Sequence, residues 1–219
     1  LAVGLAIGAW QGFWVAYVGI PAFIVTLAGM LLFRGLTLQV LDNISLSPFP
    51  QQYGRIASGF LNGLLGGNGY DAFTLLIGAI GVAGYAVSQY RSRIARIRYE
   101  QPVESFPLFV LKIVLVGAVV MAFAWQLAHA RGLPIVLIIL AVLILAYSLV
   151  TNRTVFGRQV YAIGGNLAAA TLSGVKVRAV NFWIFVNMGV LSAVAGIVFS
   201  ARSNGAQPAA GLSFELDAI

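Results

Sequence analysis

Long runs without a single charged side chain constrain this chain more than any other feature. The first 33 residues carry no Asp, Glu, Lys or Arg, and neither do residues 72–90, 133–150 and 179–201. Residues 106–128 match them apart from Lys112, near the start of the run. Each of the later runs is close to the roughly 20 residues a helix needs to cross the ~30 Å hydrocarbon layer of a bilayer. Lipid offers no partner to a backbone N–H or C=O, so such runs must form helices that satisfy themselves. Composition agrees: 60% of residues are hydrophobic and 9% are charged, against roughly a quarter charged in a soluble domain. The expected fold class is all-α, a polytopic transmembrane helix bundle.

The number of spans follows from length. As one straight helix the first 33 residues would reach roughly 50 Å, well beyond the hydrocarbon core. Pro21 lacks the backbone donor and biases Ile20 away from helix. The expectation is therefore one span ending near Trp10, a connection through residues 11–20, and a second span over 22–41. Residues 42–70, rich in Ser, Pro, Gly, Asn and Gln, read as a surface loop. With the four later runs this makes about six spans in a single transmembrane domain over residues 1–219, expected to be part of a longer chain at both ends.

Charge sets orientation. The segments 91–105 and 151–178 carry four Lys or Arg each, whereas 42–70 and 129–132 carry only Arg55 and Arg131. Crossing parity puts the two basic segments on the same face, and cytoplasmic segments are the ones enriched in Lys and Arg. The net charge of +7 thus reflects clusters facing anionic lipid rather than a surface for nucleic acid. With no cysteine in the chain, disulfides and thiolate metal sites are excluded.

Reactive groups are scarce. His129 is the single histidine and has no HExxH context, so metalloprotease chemistry lacks its ligands. Ser192 and Ser200 lie in the last run without a general base placed near them. All six acidic residues fall in loops or at span edges, unlike the intramembrane carboxylates of many ion-coupled carriers. Gly66-Gly67-Asn68-Gly69 and Gly164-Gly165-Asn166 are not followed by Lys-Ser/Thr and match no phosphate-loop spacing. No catalytic residue, metal or cofactor is expected, and any ATP must be bound by another chain.

Two glycine patterns concern packing. Gly4, Gly8 and Gly12 share one helical face, and Gly78, Gly81 and Gly84 form a looser version; small residues there let a second helix approach closely. A different use belongs to Asn166, which suits the N-cap of a short helix over 167–173, with Gly174 ending it. Gly164 and Gly165 allow a sharp entry. This helix is either an interfacial connector or a coupling helix that presses into a partner's groove through Ala169, Ala170, Leu172 and Ser173.

Three stretches carry a family resemblance. The first is Ile20-Pro21-Ala22-Phe23-Ile24-Val25-Thr26-Leu27-Ala28-Gly29-Met30 with Arg34-Gly35. The second is Arg153-Thr154-Val155-Phe156-Gly157-Arg158, running into Tyr161-Ala162-Ile163-Gly164-Gly165-Asn166 and Leu172-Ser173-Gly174-Val175. The third joins residues 189–196, Ala201-Arg202, Gln207-Pro208-Ala209-Ala210-Gly211 and Glu215-Leu216-Asp217-Ala218-Ile219. Together they resemble the ribose/xylose/multiple-sugar permeases of bacterial ATP-binding-cassette importers. Ser45-Leu46-Ser47-Pro48-Phe49-Pro50 and Asn181-Phe182-Trp183-Ile184-Phe185-Val186-Asn187-Met188-Gly189 resemble the xylose-type branch most.

The resemblance implies a multi-pass permease subunit in the bacterial inner membrane, without catalytic activity of its own. It implies four associations: a separate ABC ATPase subunit, an extracytoplasmic sugar-binding protein, a second permease copy and membrane lipid. A neutral sugar needs hydrogen-bonding and aromatic groups, and Gln11, Trp14, Thr26, Asn187 and Gln207 are candidates for its path. Trp14 equally suits an interfacial anchor and Asn187 a bond between helices; these structural uses are preferred to direct sugar contact. A stand-alone secondary transporter or channel for a small polar solute is the alternative reading.

Orientation can be tested directly because the chain has no native cysteine. Single cysteines at Ser92 and Asn166 are expected to resist an impermeant thiol reagent in intact cells, and one at Ser58 to react; the opposite labelling pattern would invert the topology.

Overall fold

The computed structural model describes residues 1–61, 71–130, 132–212 and 214. The glycine run at 66–69, Arg131 and the motif at 215–219 lie outside the described residues. The chain divides into two compact units, one of Leu1–Ser58 with Ile139–Ile219, the other of Gly59–Ile138. Among the described residues, five helices are long and apolar enough to cross a membrane: Ala22–Val40, Ala72–Arg98, Phe106–Ala130, Ile135–Arg153 and Val177–Ser203. A shorter apolar helix, Ala2–Val18, precedes them.

The first unit begins with α1 (Ala2–Phe13), which runs without a break into a π-helical turn, Trp14–Val18. Gly19 N–H bonds back to Trp14 C=O over 3.1 Å and closes that turn. Gly19 then takes the left-handed conformation at φ 86°, which glycine reaches without steric cost. The expected connection over 11–20 is therefore corrected: the helix continues to Val18 and only residues 19–21 link it to α2 (Ala22–Val40). An uncharged run has no reason to leave the helix before a residue forces it to, and Gly19-Ile20-Pro21 is the first such point. Pro21 stands at the N-cap of α2, where its missing donor costs nothing.

The stretch expected as a plain loop after α2 contains a helix as well, α3 (Gln51–Ser58). It is amphipathic: Ala57 is buried and Tyr53 half-buried on one face, with Gln51, Gln52 and Arg55 exposed on the other. Its buried face packs on α9 (Val177–Ser203), and Tyr53 Oη lies 2.6 Å from Ser200 Oγ. Just upstream, Leu46 and Ala206 form an antiparallel bridge, and Phe49 N–H donates to Asn204 Oδ1 over 3.2 Å. The unit is completed by α6 (Ile135–Arg153), α7 (Val155–Gly165) and α8 (Leu167–Leu172). Most of the basic segment 151–178 is thus helical, because Thr154 caps α7 through its bond from Gly157 N–H, 3.1 Å.

The seam between α1 and α9 is where the glycine face is used. A methyl group built on Gly8 would lie 2.6 Å from Phe185 C=O, and one on Gly4 would lie 2.5 Å from Gly189 C=O and Ala193 Cβ. On α9, Gly189 meets the backbone of Gly4 and Gly8 in return. The helices therefore pack backbone to backbone, as small residues on facing helices permit.

The second unit is an antiparallel pair, α4 (Ala72–Arg98) and α5 (Phe106–Ala130), with a two-stranded bridge between β1 (Phe60–Leu61) and β2 (Leu133–Pro134). Asp71 caps α4: its carboxylate accepts from Thr74 N–H at 3.2 Å and from Thr74 Oγ1 at 2.6 Å. Both residues are buried, so the cap also satisfies groups that water does not reach. The α4–α5 contact uses Gly78 against Ala124 and Gly117 against Val82. Among the described residues, nothing outside its own helix backbone would lie within 4 Å of a methyl group on Gly81 or Gly84, so only the first glycine of that looser pattern is a contact here. The basic run 91–98, expected as a loop, is the last two turns of α4. Arg favours helix, and cations near its C-terminus complement the dipole. His129, also expected in a loop, ends α5 with its ring 4.4 Å from that of Trp125.

Gly8→Leu is expected to force α1 and α9 apart, since overpacking typically costs about 1–3 kcal/mol. A lower melting temperature and lower folded yield in detergent would follow, whereas Gly81→Leu should change neither; equal stability of both variants would place the Gly8 face away from any helix contact.

Candidate functional site

Two groups of residues are candidates for function. The first surrounds α8. Asn166 leaves the helical conformation (φ −156°, ψ 105°), and its Oδ1 accepts from Ala169 N–H at 3.0 Å. The backbone bend between α7 and α8 is therefore made by Asn166. Gly164 and Gly165 are themselves part of α7, so the sharp entry expected from the glycine pair is corrected: an extended Asn with a short hydrogen-bonding side chain makes the turn. Gly174, at φ 81°, ends the segment as expected. Ser173 Oγ bonds back to Ala169 C=O at 2.8 Å.

Burial separates the faces of this short helix. Ala170 is only 4% exposed and seats the helix on its own chain, while Leu172 is 90% exposed. Ala169 and Leu167 are also exposed. Of the two alanines expected to face a partner, Ala169 is free to do so and Ala170 is already covered. Leu172 is thus the large apolar side chain that α8 leaves most uncovered within its own chain.

The second group comprises the candidate sugar-path residues, which fall in three places. Gln11 lies against α2: a methyl group on Gly29 would sit 2.5 Å from Gln11 Nε2. Gln11 also lines, with Thr37, Phe185 and Ser192, an open groove of about 570 Å³ along the α1–α9 seam. One turn before Gly29, Thr26 donates its hydroxyl to Ala22 C=O at 2.9 Å within its own helix. Trp14 stands in an aromatic group, its ring edge-on to Trp10 at 6.4 Å and to Phe13 at 5.7 Å. Its indole Nε1 is buried and has no hydrogen-bond partner among the described residues.

Asn187 belongs to another place. Tyr147 Oη donates to Asn187 Oδ1 between α6 and α9, the interhelical bond preferred for it above. This pair borders a largely apolar groove of about 720 Å³ lined also by Phe156, Val160 and Trp183. Gln207 lies beyond α9 and is exposed. The structure thus unites Gln11 with the face of α2 that carries Gly29, one turn from Thr26, and separates both from Asn187 and Gln207. Gly29 and Tyr147 were not singled out in the sequence. Their signals were a glycine inside a long apolar helix and a lone phenol among aliphatic residues. Among the described residues no group of three or more His, Cys, Asp or Glu could hold a metal ion.

Several long apolar helices packed through glycine contacts are the architecture of an integral membrane protein. The chain belongs to the family described as branched-chain amino acid transport system / permease component, whose model matches residues 1–219. It is 37% identical, over its full length, to the xylose transport system permease protein XylH of Escherichia coli (strain K12), covering 54% of that protein. The XylH of Haemophilus influenzae is likewise 37% identical over the full chain, which covers 56% of it. A shorter match, 44% identical over 88 residues, is to the ribose import permease protein RbsC of Bacillus subtilis; it covers 40% of this chain and 27% of that protein. The chain spans about half the length of the curated relatives it matches along its whole length. No solved structure matches.

The cap makes a local prediction. Asn166→Ala removes the acceptor of Ala169 N–H at a cost of about 1 kcal/mol. Hydrogen exchange of the 169–173 amides is expected to quicken about fivefold, with Asn166→Ser largely restoring protection; unchanged exchange in the alanine variant would mean that packing of Ala170 alone holds α8.

Proposed function

We propose that this chain is the core of a membrane-spanning permease subunit of an ATP-driven importer in a bacterial inner membrane, carrying a monosaccharide such as xylose. The likeness to the xylose permeases over all 219 residues carries this reading. The family description names branched-chain amino acids, yet the relatives matched along the whole chain and the ribose permeases both name sugars, which favours a sugar. Side-chain chemistry is compatible: the candidate path residues are neutral donors, acceptors and aromatics, suited to a polyol that needs hydrogen bonds and no buried counter-charge.

In this reading the chain catalyses no reaction. A separate ATPase subunit hydrolyses ATP, an extracytoplasmic binding protein delivers the sugar, and a second permease copy completes the path. Closure of the ATPase can move the spans only through a contact that bears force. The segment 164–174 is built to bear it, since α8 is capped by Asn166, anchored by Ala170, ended by Gly174 and tied by short links to α7 and α9. Leu172 and Ala169 are the side chains it offers to a partner's groove.

The test is Ala169→Arg. The side chain is exposed, so the variant is expected to fold and insert. A charge forced into a desolvated contact should lower sugar uptake and transport-coupled ATP hydrolysis by about tenfold or more, and weaken co-purification of the ATPase. Substitution of the exposed Gln51 in α3 should do neither. Normal uptake and normal ATPase binding by the Ala169→Arg protein would transfer the coupling role to another segment, with 91–105 the next in line.

A further inference from the structure

At the basic end of the α4–α5 pair the helices part around an open cavity of about 90 Å³. Its polar lining is Gln89, Ser92, Arg93 and Arg96 from α4, and Glu104 and Lys112 from the segment leading into α5 and from α5 itself. Three cations therefore face one carboxylate, and that carboxylate is only loosely engaged, with Lys112 Nζ 3.9 Å from Glu104 Oε1. Arg93 and Arg96 make no ion pair among the described residues.

Arg93 is held in position rather than left to wander. Its guanidinium stacks on Phe109 at 4.8 Å and lies 5.8 Å from the Phe106 ring. It also donates from Nη1 to Glu104 C=O at 2.9 Å. This anchoring by π-faces and a neutral carbonyl leaves the positive charge uncompensated and its other N–H groups available. Such a preorganised guanidinium binds an oxyanion with less loss of side-chain entropy than a free one. The cavity has room for several waters or one compact oxyanion, and none for a nucleotide.

From this geometry we infer that the Arg93–Arg96–Lys112 cavity binds the phosphate of an anionic phospholipid, phosphatidylglycerol or a related lipid. Two features select a lipid over a free anion. The cavity sits at the basic ends of two helices long and apolar enough to cross a membrane, and basic side chains at such ends face anionic headgroups. Leu115 and Val119, 57% and 65% exposed, follow Lys112 at i+3 and i+7 on α5. They continue the lysine's stripe into the apolar part of the helix, giving an acyl chain a track below the phosphate. Serine and glutamine donors at Ser92 and Gln89 can complete the headgroup's hydrogen bonds, and Glu104 is the one group that opposes it.

The experiment uses the full-length permease in detergent, followed by native mass spectrometry and thermal melting with added dioleoylphosphatidylglycerol or dioleoylphosphatidylethanolamine. Wild type is expected to retain phosphatidylglycerol in preference to phosphatidylethanolamine and to melt higher with it. A basic residue near the surface contributes enough that Arg96→Gln should lower retention about fivefold, and Arg93→Gln/Arg96→Gln/Lys112→Gln should abolish the preference. Glu104→Gln should raise retention, an outcome that a damaged fold cannot imitate. Arg91→Gln, on the same helix end but outside the cavity, should have little effect. The assignment is overturned by wild-type retention in the triple variant, by lower retention in Glu104→Gln, or by a loss at Arg91 equal to that at Arg96. It is overturned equally if inorganic phosphate alone reproduces the stabilisation, which would make this a site for the free anion.

Discussion

The first unit depends on one contact, the place where the backbone of α1 touches the backbone of α9. Where Gly4 and Gly8 on one side meet Gly189 on the other, backbone faces backbone. Within lipid, expelling hydrocarbon gains little, because the tails are as apolar as the side chains; association rests on close van der Waals fit. Glycines at these points allow a closer fit than any side chain would. The aromatic residues of the π-turn then settle around it, Tyr17 against Phe182 at 5.6 Å, while Trp10 in α1 meets Phe33 at 5.7 Å. The groove that holds Gln11 runs along the same seam, so the candidate path and the packing contact are built from one surface.

Polar groups are spent sparingly and nearly always on ends. Asp71 caps α4, Thr154 caps α7, Asn166 caps α8 and Asn204 ends α9 in the left-handed conformation. Serines and threonines inside helices return their hydroxyls to the carbonyl one turn back, as Thr26, Thr37 and Thr151 do. Those groups need no partner from a neighbour. The exceptions stand out for that reason: the Tyr147–Asn187 and Tyr53–Ser200 bonds each join two helices, and the buried indole nitrogen of Trp14 has no partner among the described residues. A donor held away from water without a partner carries a desolvation cost, which an incoming hydroxyl would relieve.

The candidate site was legible in unequal parts. The Asn166 cap and the Gly174 stop could be read because each acts through its own backbone neighbourhood. The five long helices followed from run length and missing charge. The continuation of α1 to Val18 could not be read from Pro21 alone, since an uncharged sequence is compatible with helix on both sides of a break and the break falls wherever the first left-handed residue is tolerated. Helix α3 was hidden in a polar stretch because its amphipathic face is short and gains stability only against α9.

By itself the sequence determined that this chain is helical and spans a membrane, since hydrocarbon forbids unpaired backbone groups and charged side chains over such lengths. It also determined where the short capped helix begins and ends, because capping is a matter of a few consecutive residues. Tertiary structure alone decided which helix the Gly4–Gly8–Gly12 face meets, that Ala170 is covered while Leu172 is exposed, and that Gln11 and Asn187 line different grooves. Those outcomes depend on which distant segments touch, and periodicity along one helix names the face that packs without naming its partner.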